Sequence, residues 1–173
     1  MLFSNMILVL LGSERMIKEV NYNNSEFFEL CKKLEKEHIE IVAEQRSPSG
    51  NCLIGLEKYI HVLLYFENGK AVGSLAISES IENVVEIGRV YVLPEYRNKN
   101  IATKLFKKAF DIIQNEGNKA VILNTYNRFK SAVHLYEKLG FEIVDTFENL
   151  KNSPYSVCMK KSFIKVQKTQ CFT

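Results

Sequence analysis

Two β-rich runs around an Asn-Gly pair constrain the fold of this chain more than any other stretch. They read YIHVLLYF (59–66) and KAVGSLAI (70–77), and Asn68-Gly69 lies between them. An Asn-Gly pair between such runs is the strongest short-range signal of a β-hairpin, because both turn residues must adopt a positive φ. The apolar run that follows predicts a third strand over about residues 83–93. The middle of the chain therefore predicts neighbouring strands of one sheet.

Helical periodicity and apolar runs predict the remaining elements. The helices are expected at 24–37, at 100–116 and at 128–140, with a further short helix and a loop within 38–57. The other strands are expected at 16–22, 119–126, 141–147 and 155–160. The resulting order, β-α-α-β-β-β-α-β-α-β-β, is typical of an α/β fold with helices on both faces of a mixed sheet.

Length and composition favour a single domain. The chain has 173 residues, 46% of them hydrophobic, and no repeat or Pro/Gly-rich linker. We assign residues 16–161 to this domain, 1–15 to an N-terminal extension upstream of a natural start at Met16, and 162–173 to a basic tail. The apolar run Met6–Leu11 is too short to span a membrane and has no basic segment before it.

Charge and cysteine content argue against several classes of function. A net charge of +3 is too small to predict nucleic-acid binding. The four cysteines form no C-x-x-C pair and have no histidine at metal-ligand spacing, so no metal site is expected. Free, mostly buried thiols are typical of a cytoplasmic protein.

Two longer segments carry a family resemblance. EIGRVYVLPEYRNKNIATKLFKKAF (86–110) and VILNTYNRFKSAVHLYEKLGF (121–141) resemble the acetyl-CoA motif and the following motif of the GCN5-related N-acetyltransferase (GNAT) superfamily. The resemblance implies a single-domain, mostly antiparallel twisted sheet of about six to seven strands flanked by about four helices. It also implies that the fourth and fifth strands splay apart to admit the cofactor.

The cofactor implied by the resemblance is acetyl-CoA. The backbone near Val90, Tyr91 and Val92 would polarise the thioester carbonyl. The phosphates would be bound by the loop and helix entrance formed by Arg97, Asn98, Lys99, Asn100, Ile101, Ala102 and Thr103. Arg97 and Lys99 would add positive charge there; alternatively they are solvated side chains.

Asn100 stands where the family motif has its first glycine. Asparagine tolerates a positive φ better than other non-glycine residues, so we interpret it as a permitted departure. The alternative is that this loop no longer binds CoA.

The resemblance also implies roles for three side chains. Tyr136 matches the family's general acid for the leaving thiolate; otherwise it is a core tyrosine of an amphipathic helix. Glu86 matches a general base; otherwise it is a solvent-facing strand residue. Asn127 matches a polar cofactor contact, although the more usual asparagine position falls nearer Phe129.

The acceptor is expected to be the primary amine of a small molecule, which attacks the thioester directly in a ternary complex. Residues 38–58 and about 146–156 would shape its binding site. There are two alternatives. The acceptor is a protein N-terminus or lysine, or the protein is a non-catalytic acyl-CoA-binding module. Family members are often dimers, which leaves a homodimer open.

Overall fold

The structure, a computed structural model, describes residues 14–42, 51–145 and 155–163. The strands are β1 (Arg15–Val20), β2 (Tyr59–Glu67), β3 (Lys70–Ser78), β4 (Val84–Val92), β5 (Ala120–Tyr126), β6 (Glu142–Val144) and β7 (Ser156–Ser162). The α-helices are α1 (Ser25–Val42), α2 (Ile101–Asn115) and α3 (Lys130–Lys138). Single 3₁₀ turns lie at Leu56–Lys58 and Pro94–Tyr96.

All seven strands form one sheet in the order β1-β2-β3-β4-β5-β7-β6. Every neighbouring pair is antiparallel except β4 and β5, which run parallel. The β2–β3 hairpin turns at Asn68 (φ 53°) and Gly69 (φ 76°), so the Asn-Gly prediction is confirmed. This topology places the only parallel junction of the described sheet at its centre.

Amphipathic helices cover the two faces of the sheet. The side chains of α1 that follow the predicted spacing, Phe27, Leu30, Cys31 and Leu34, are buried. The side chain of Asn24 begins this helix by accepting a hydrogen bond from the Phe27 amide at 3.0 Å. On the other face α2 packs closely on β3, because Gly73 has no side chain to separate the strand from Ile101.

The fold class predicted from the sequence is confirmed, with fewer helices than the four expected. The described residues hold three α-helices, because α1 extends to Val42 and takes up part of the region assigned to a second helix. Residues 51–58 form turns and one 3₁₀ turn instead of a helix, and residues 43–50 lie outside the described part. The predicted extension 1–15 lies almost wholly outside it, as does most of the tail 162–173.

Candidate active site

The two parallel strands at the centre of the sheet separate after three residue pairs. Val84, Val85 and Glu86 of β4 pair with residues 120–122 of β5. Beyond these pairs β4 continues to Val92 and β5 to Tyr126, with no pairing between them. The separation creates an opening between the two strands, as the resemblance implies.

Backbone groups of β4 line this opening. The Leu93 amide donates to the Val72 carbonyl at 2.9 Å, and the Arg89 carbonyl accepts from Ser74 Oγ at 2.8 Å, so both point toward β3. Successive residues of a strand direct their backbone groups to opposite sides. Val90 and Val92 therefore direct their N–H and C=O groups into the opening, whereas those of Tyr91 point toward β3.

The loop after β4 leads to the N-terminus of α2. Asn98 (φ 62°) and Asn100 (φ 59°) both adopt the left-handed conformation, and Asn100 is the N-cap residue. Asn100 thus adopts the positive φ expected of glycine at this position, and its part in binding CoA stays a prediction. Within the described part of the chain, the amides of residues 98–103 donate no hydrogen bond. Unpaired amides at a helix N-terminus form an anion-binding site.

The side chain of Arg97 is held next to this loop. Its Nη2 donates to Glu37 Oε2 of α1 at 2.6 Å, and its Nε donates to the Val92 carbonyl at 2.9 Å. Glu37 also faces Tyr91, whose pKa is raised by burial and then by this carboxylate. Lys99 lies over the Tyr96 ring at 4.7 Å. The two predicted phosphate-binding cations thus lie at the loop, and one of them is bound to α1.

Tyr136 lies in an aromatic cluster between α2 and α3. Its ring contacts those of Phe106 and Phe141, with centroids 5.6 and 6.0 Å apart. Burial raises the pKa of its hydroxyl, so the side chain carries its proton at neutral pH. This hydroxyl makes no hydrogen bond to a described residue. A protonated hydroxyl that no described residue engages is able to act as a proton donor.

Glu86 lies at the last β4–β5 pair, where the opening begins. Its carboxylate accepts a hydrogen bond from Lys58 Nζ at 2.7 Å, and its amide donates to Ser78 Oγ at 2.9 Å. The side chain is partly exposed. Glu86 is thus an ion-paired carboxylate at the entrance to the opening.

The loop between β5 and α3 contains the last of the predicted residues. Asn127 is exposed, and its amide donates to the Tyr155 carbonyl at 2.8 Å. Phe129 packs on His38 of α1, with ring centroids 4.9 Å apart. The loop therefore contacts both α1 and the segment before β7.

The arrangement of the opening and the helix agrees with the comparison to known families. The sequence profile of the acetyltransferase (GNAT) family matches residues 23–141, which is more than half of the chain.

The chain belongs to the GNAT acetyltransferase family.

Individual relatives agree with this assignment. The chain is 38% identical to the Escherichia coli protein YjgM, an uncharacterised N-acetyltransferase, over 44% of this chain and 45% of that protein. It is 33% identical to N-acetylaspartate synthetase of Danio rerio, over 64% of this chain and 36% of that protein. Each match therefore spans less than half of the relative's length.

A solved structure shows the same fold. PaiA N-acetyltransferase of Thermoplasma acidophilum, crystallised with coenzyme A, superposes with a TM-score of 0.65 over 87% of this chain and 99% of that one. The identity is 20%, so this likeness concerns the fold alone.

Three residues around the opening between β4 and β5 could not be assigned to the candidate site from the sequence. Glu37 belongs to a helix that lies 60 positions before Arg97 in the chain, and Lys58 lies 28 positions before Glu86. Arg89 occupies a bulge in β4, with φ 55°, where one additional residue of β4 lies opposite β3. The mid-strand Gly88 was the only sequence signal of such a bulge.

A membrane-spanning helix and a metal-binding site both lack support among the described residues. No helix in residues 14–42, 51–145 and 155–163 is long and apolar enough to cross a membrane. Within the same ranges, no three His, Cys, Asp or Glu side chains are grouped so as to hold a metal ion. Of the segments expected to shape the acceptor site, residues 43–50 and 146–154 lie outside the described part.

Proposed function

We propose that this protein is an acetyl-CoA-dependent N-acetyltransferase that acetylates the primary amine of a small molecule by direct attack in a ternary complex. The observation that carries the proposal is the early end of β4–β5 pairing beside a helix N-terminus with unpaired amides. The family membership and the names of the relatives support the same reaction.

The residues at the opening fit the parts of acetyl-CoA. The amides of residues 98–103 would bind the pyrophosphate, with Lys99 and Arg97 close by. The N–H groups of Val90 and Val92 and the C=O group of Val90, which point into the opening, would bind the amides of the pantetheine arm. An N–H of this strand edge would also bind the thioester carbonyl oxygen as negative charge develops on it. When bound, acetyl-CoA supplies the activated acetyl group.

The chemistry requires two proton transfers. The amine nitrogen forms a bond to the thioester carbon, and the carbon–sulfur bond breaks. Glu86 would accept the proton that the amine loses, directly or through water, and Tyr136 would donate a proton to the leaving thiolate. The hydroxyl of Tyr136, which is protonated and bonded to no described residue, supports the role of Tyr136, and the position of Glu86 at the entrance supports that of Glu86.

The cytoplasm is the compartment that we propose. Cys31 and Cys158 are buried free thiols, Cys52 is also buried, and burial raises the pKa of Cys31 and Cys52 to about 12. Such thiols are unreactive and are typical of a reducing compartment. A homodimer stays a prediction from the family resemblance. Gel filtration tests it.

Two assays on the purified protein test the proposed function. Acetyl-CoA should raise the melting temperature in a saturable way, and ADP, which lacks the pantetheine arm, should raise it less. A panel of amines and short peptides is then assayed for thiol release. Absence of stabilisation at millimolar acetyl-CoA, together with absence of thiol release, would refute the proposal.

Tyr136→Phe separates catalysis from binding. We expect turnover to fall about 10²-fold or more, while the affinity for acetyl-CoA stays unchanged. Glu86→Gln should lower turnover in the same way. Tyr22→Phe removes an exposed hydroxyl outside the site and serves as the control. Binding of acetyl-CoA without turnover in the wild-type protein would instead indicate a non-catalytic acyl-CoA-binding module.

A further inference from the structure

The bulge in β4 places the side chain of Arg89 on the face of the sheet that α1 covers. Its Nη2 donates to the Ile54 carbonyl at 2.8 Å, and its guanidinium lies over the Tyr59 ring at 5.4 Å. It also interacts electrostatically with the buried thiols Cys31 and Cys52. The side chain is therefore held between β4, α1 and the turn before β2.

Two buried donors in this cluster have no hydrogen-bond acceptor among the described residues. One is Arg89 Nε, and the other is the hydroxyl of Tyr59, a residue that is 1% exposed. Nη1 of Arg89 also makes no hydrogen bond to a described residue. Buried donors are nearly always paired in folded proteins, so an unpaired donor calls for an explanation, such as a functional role or a bound water or ion.

Arg89 likewise has no ion-pair partner within the part of the chain that the structure describes. Lys58, which also lies over the Tyr59 ring, is paired with Glu86 at 2.7 Å, and Arg97 is paired with Glu37 at 2.6 Å. The buried carboxylate of Glu35 accepts a hydrogen bond from the Cys52 amide at 2.7 Å. Arg89 forms no ion pair with any residue that the structure describes. Among the described residues, this face of the opening thus has a cation outside any ion pair.

The position of Arg89 indicates which ligand would supply the anion. Arg89 follows Glu86 by three residues, and both act electrostatically on Tyr59. The phosphate-binding amides lie further along the chain, beyond the end of β4. Ile54, which accepts the hydrogen bond from Arg89, belongs to the segment expected to shape the acceptor site. The anion would therefore belong to the acceptor, and CoA would not supply it.

We propose that Arg89 binds a carboxylate of the acceptor, and that the acceptor is consequently an amine that carries a carboxylate, as an amino acid does. This inference rests on the proposed function. A guanidinium presents planar, paired N–H donors that match the two oxygens of a carboxylate. The Tyr59 ring positions the guanidinium, and Glu86, which is paired with Lys58 and not with Arg89, would serve the amine of the same molecule.

Binding of reaction products tests the inference independently of turnover. A panel of N-acetyl amino acids and their carboxamides is titrated into the protein saturated with CoA, and affinities are measured by calorimetry. We expect at least one free acid to bind at least tenfold more tightly than its carboxamide. Equal or undetectable binding of every acid and its carboxamide would overturn the inference.

Variants at position 89 assign the preference to the guanidinium. Arg89→Gln should abolish the difference between acid and carboxamide, and Arg89→Lys should keep part of it because the charge remains. Arg15→Gln removes the same charge in β1, far from the opening, and should bind like the wild type. A preference for the acid that survives in a folded Arg89→Gln protein would exclude Arg89 as the carboxylate ligand.

Turnover of matched amines separates this inference from the proposed function. Amino acids are compared with their decarboxylated amines in the thiol-release assay. Turnover of the decarboxylated amines with equal or better kcat/KM would leave the acetyltransferase proposal standing and overturn the carboxylate inference. Absence of turnover with every amine would instead count against the proposed function, while the product-binding titration would still decide the role of Arg89.

Discussion

The hydroxyl of Tyr59 lies against the α-carbon of Gly88, in the space that a side chain at position 88 would need. Gly88 therefore allows β2 and β4 to bring Tyr59 and Arg89 together. Because the hydroxyl is buried and packed against backbone, it has little room to move.

The first prediction concerns this contact. Gly88→Ala should lower the free energy of unfolding by about 1–3 kcal/mol, because the new methyl group would overlap the tyrosine hydroxyl. Urea denaturation measures the change. In a Tyr59→Phe background the same substitution should cost less, since the overlapping oxygen is gone. An equal cost in both backgrounds would show that the contact is not the cause.

The second prediction concerns the left-handed residue at the start of α2. Asn100→Val should weaken acetyl-CoA binding about tenfold or more, because a β-branched residue is strained at φ 59°. Asn100→Gly should bind at least as tightly as the wild type, because glycine adopts this conformation freely. Asn115→Val, at the other end of α2, is the control. If valine at position 100 leaves binding unchanged, the loop conformation is not needed for it.

The third prediction concerns the ion pair between α1 and the phosphate-binding loop. Glu37→Gln should tighten acetyl-CoA binding up to about fivefold, because it releases Arg97 from a carboxylate that competes with phosphate. The gain should shrink as salt is added. Glu40→Gln removes the 3.9 Å ion pair with Lys36 on the same helix and should leave acetyl-CoA binding unchanged. Weaker binding by Glu37→Gln would mean that Glu37 positions Arg97 for the ligand.

The fourth prediction concerns pH and His61. The ring bridges Glu19 at 2.6 Å and Glu116 at 2.7 Å. Burial lowers the pKa of His61, but the two hydrogen-bonded carboxylates outweigh it and raise the pKa above 6.5. The folded protein therefore binds this proton more tightly than the unfolded chain does. The resulting stabilisation is complete below about pH 6.5 and is lost as the pH rises through the folded pKa.

Thermal denaturation over this pH range checks the prediction. The melting temperature of the wild type should fall as the pH rises, and that of His61→Gln should fall less. His134→Gln, which alters an exposed histidine 3.9 Å from Glu137, should follow the wild type. A parallel fall in His61→Gln would assign the pH dependence to other groups.

The sequence predicted most of the fold because its main elements are specified locally. The Asn68-Gly69 turn needs only two residues, and the buried stripe of α2, with Ile101, Leu105 and Ala109, recurs every four positions. The region 38–57 was predicted less well. There α1 continues as far as Val42, which is buried. Tertiary packing thus extends the helix beyond the residues whose helical periodicity predicted it.

The candidate site could be proposed from the sequence only where it lies on consecutive residues. The loop from Arg97 to Thr103 forms such a segment, and Asn100 has the positive φ expected of the motif glycine. The contacts of Glu37, Lys58 and Arg89 join elements that are distant in the chain, and a bulge of one residue decides where Arg89 points. Sequence periodicity does not contain that information.

The gap between β4 and β5 leaves an interior strand with backbone groups that no other strand satisfies. If acetyl-CoA supplies those hydrogen bonds, the ligand completes the sheet, and the folded state is stabilised in proportion to its occupancy. The resistance of the protein to unfolding and proteolysis would then follow the supply of acetyl-CoA in the cell. Nutritional state would set the lifetime of this protein as well as its rate of catalysis.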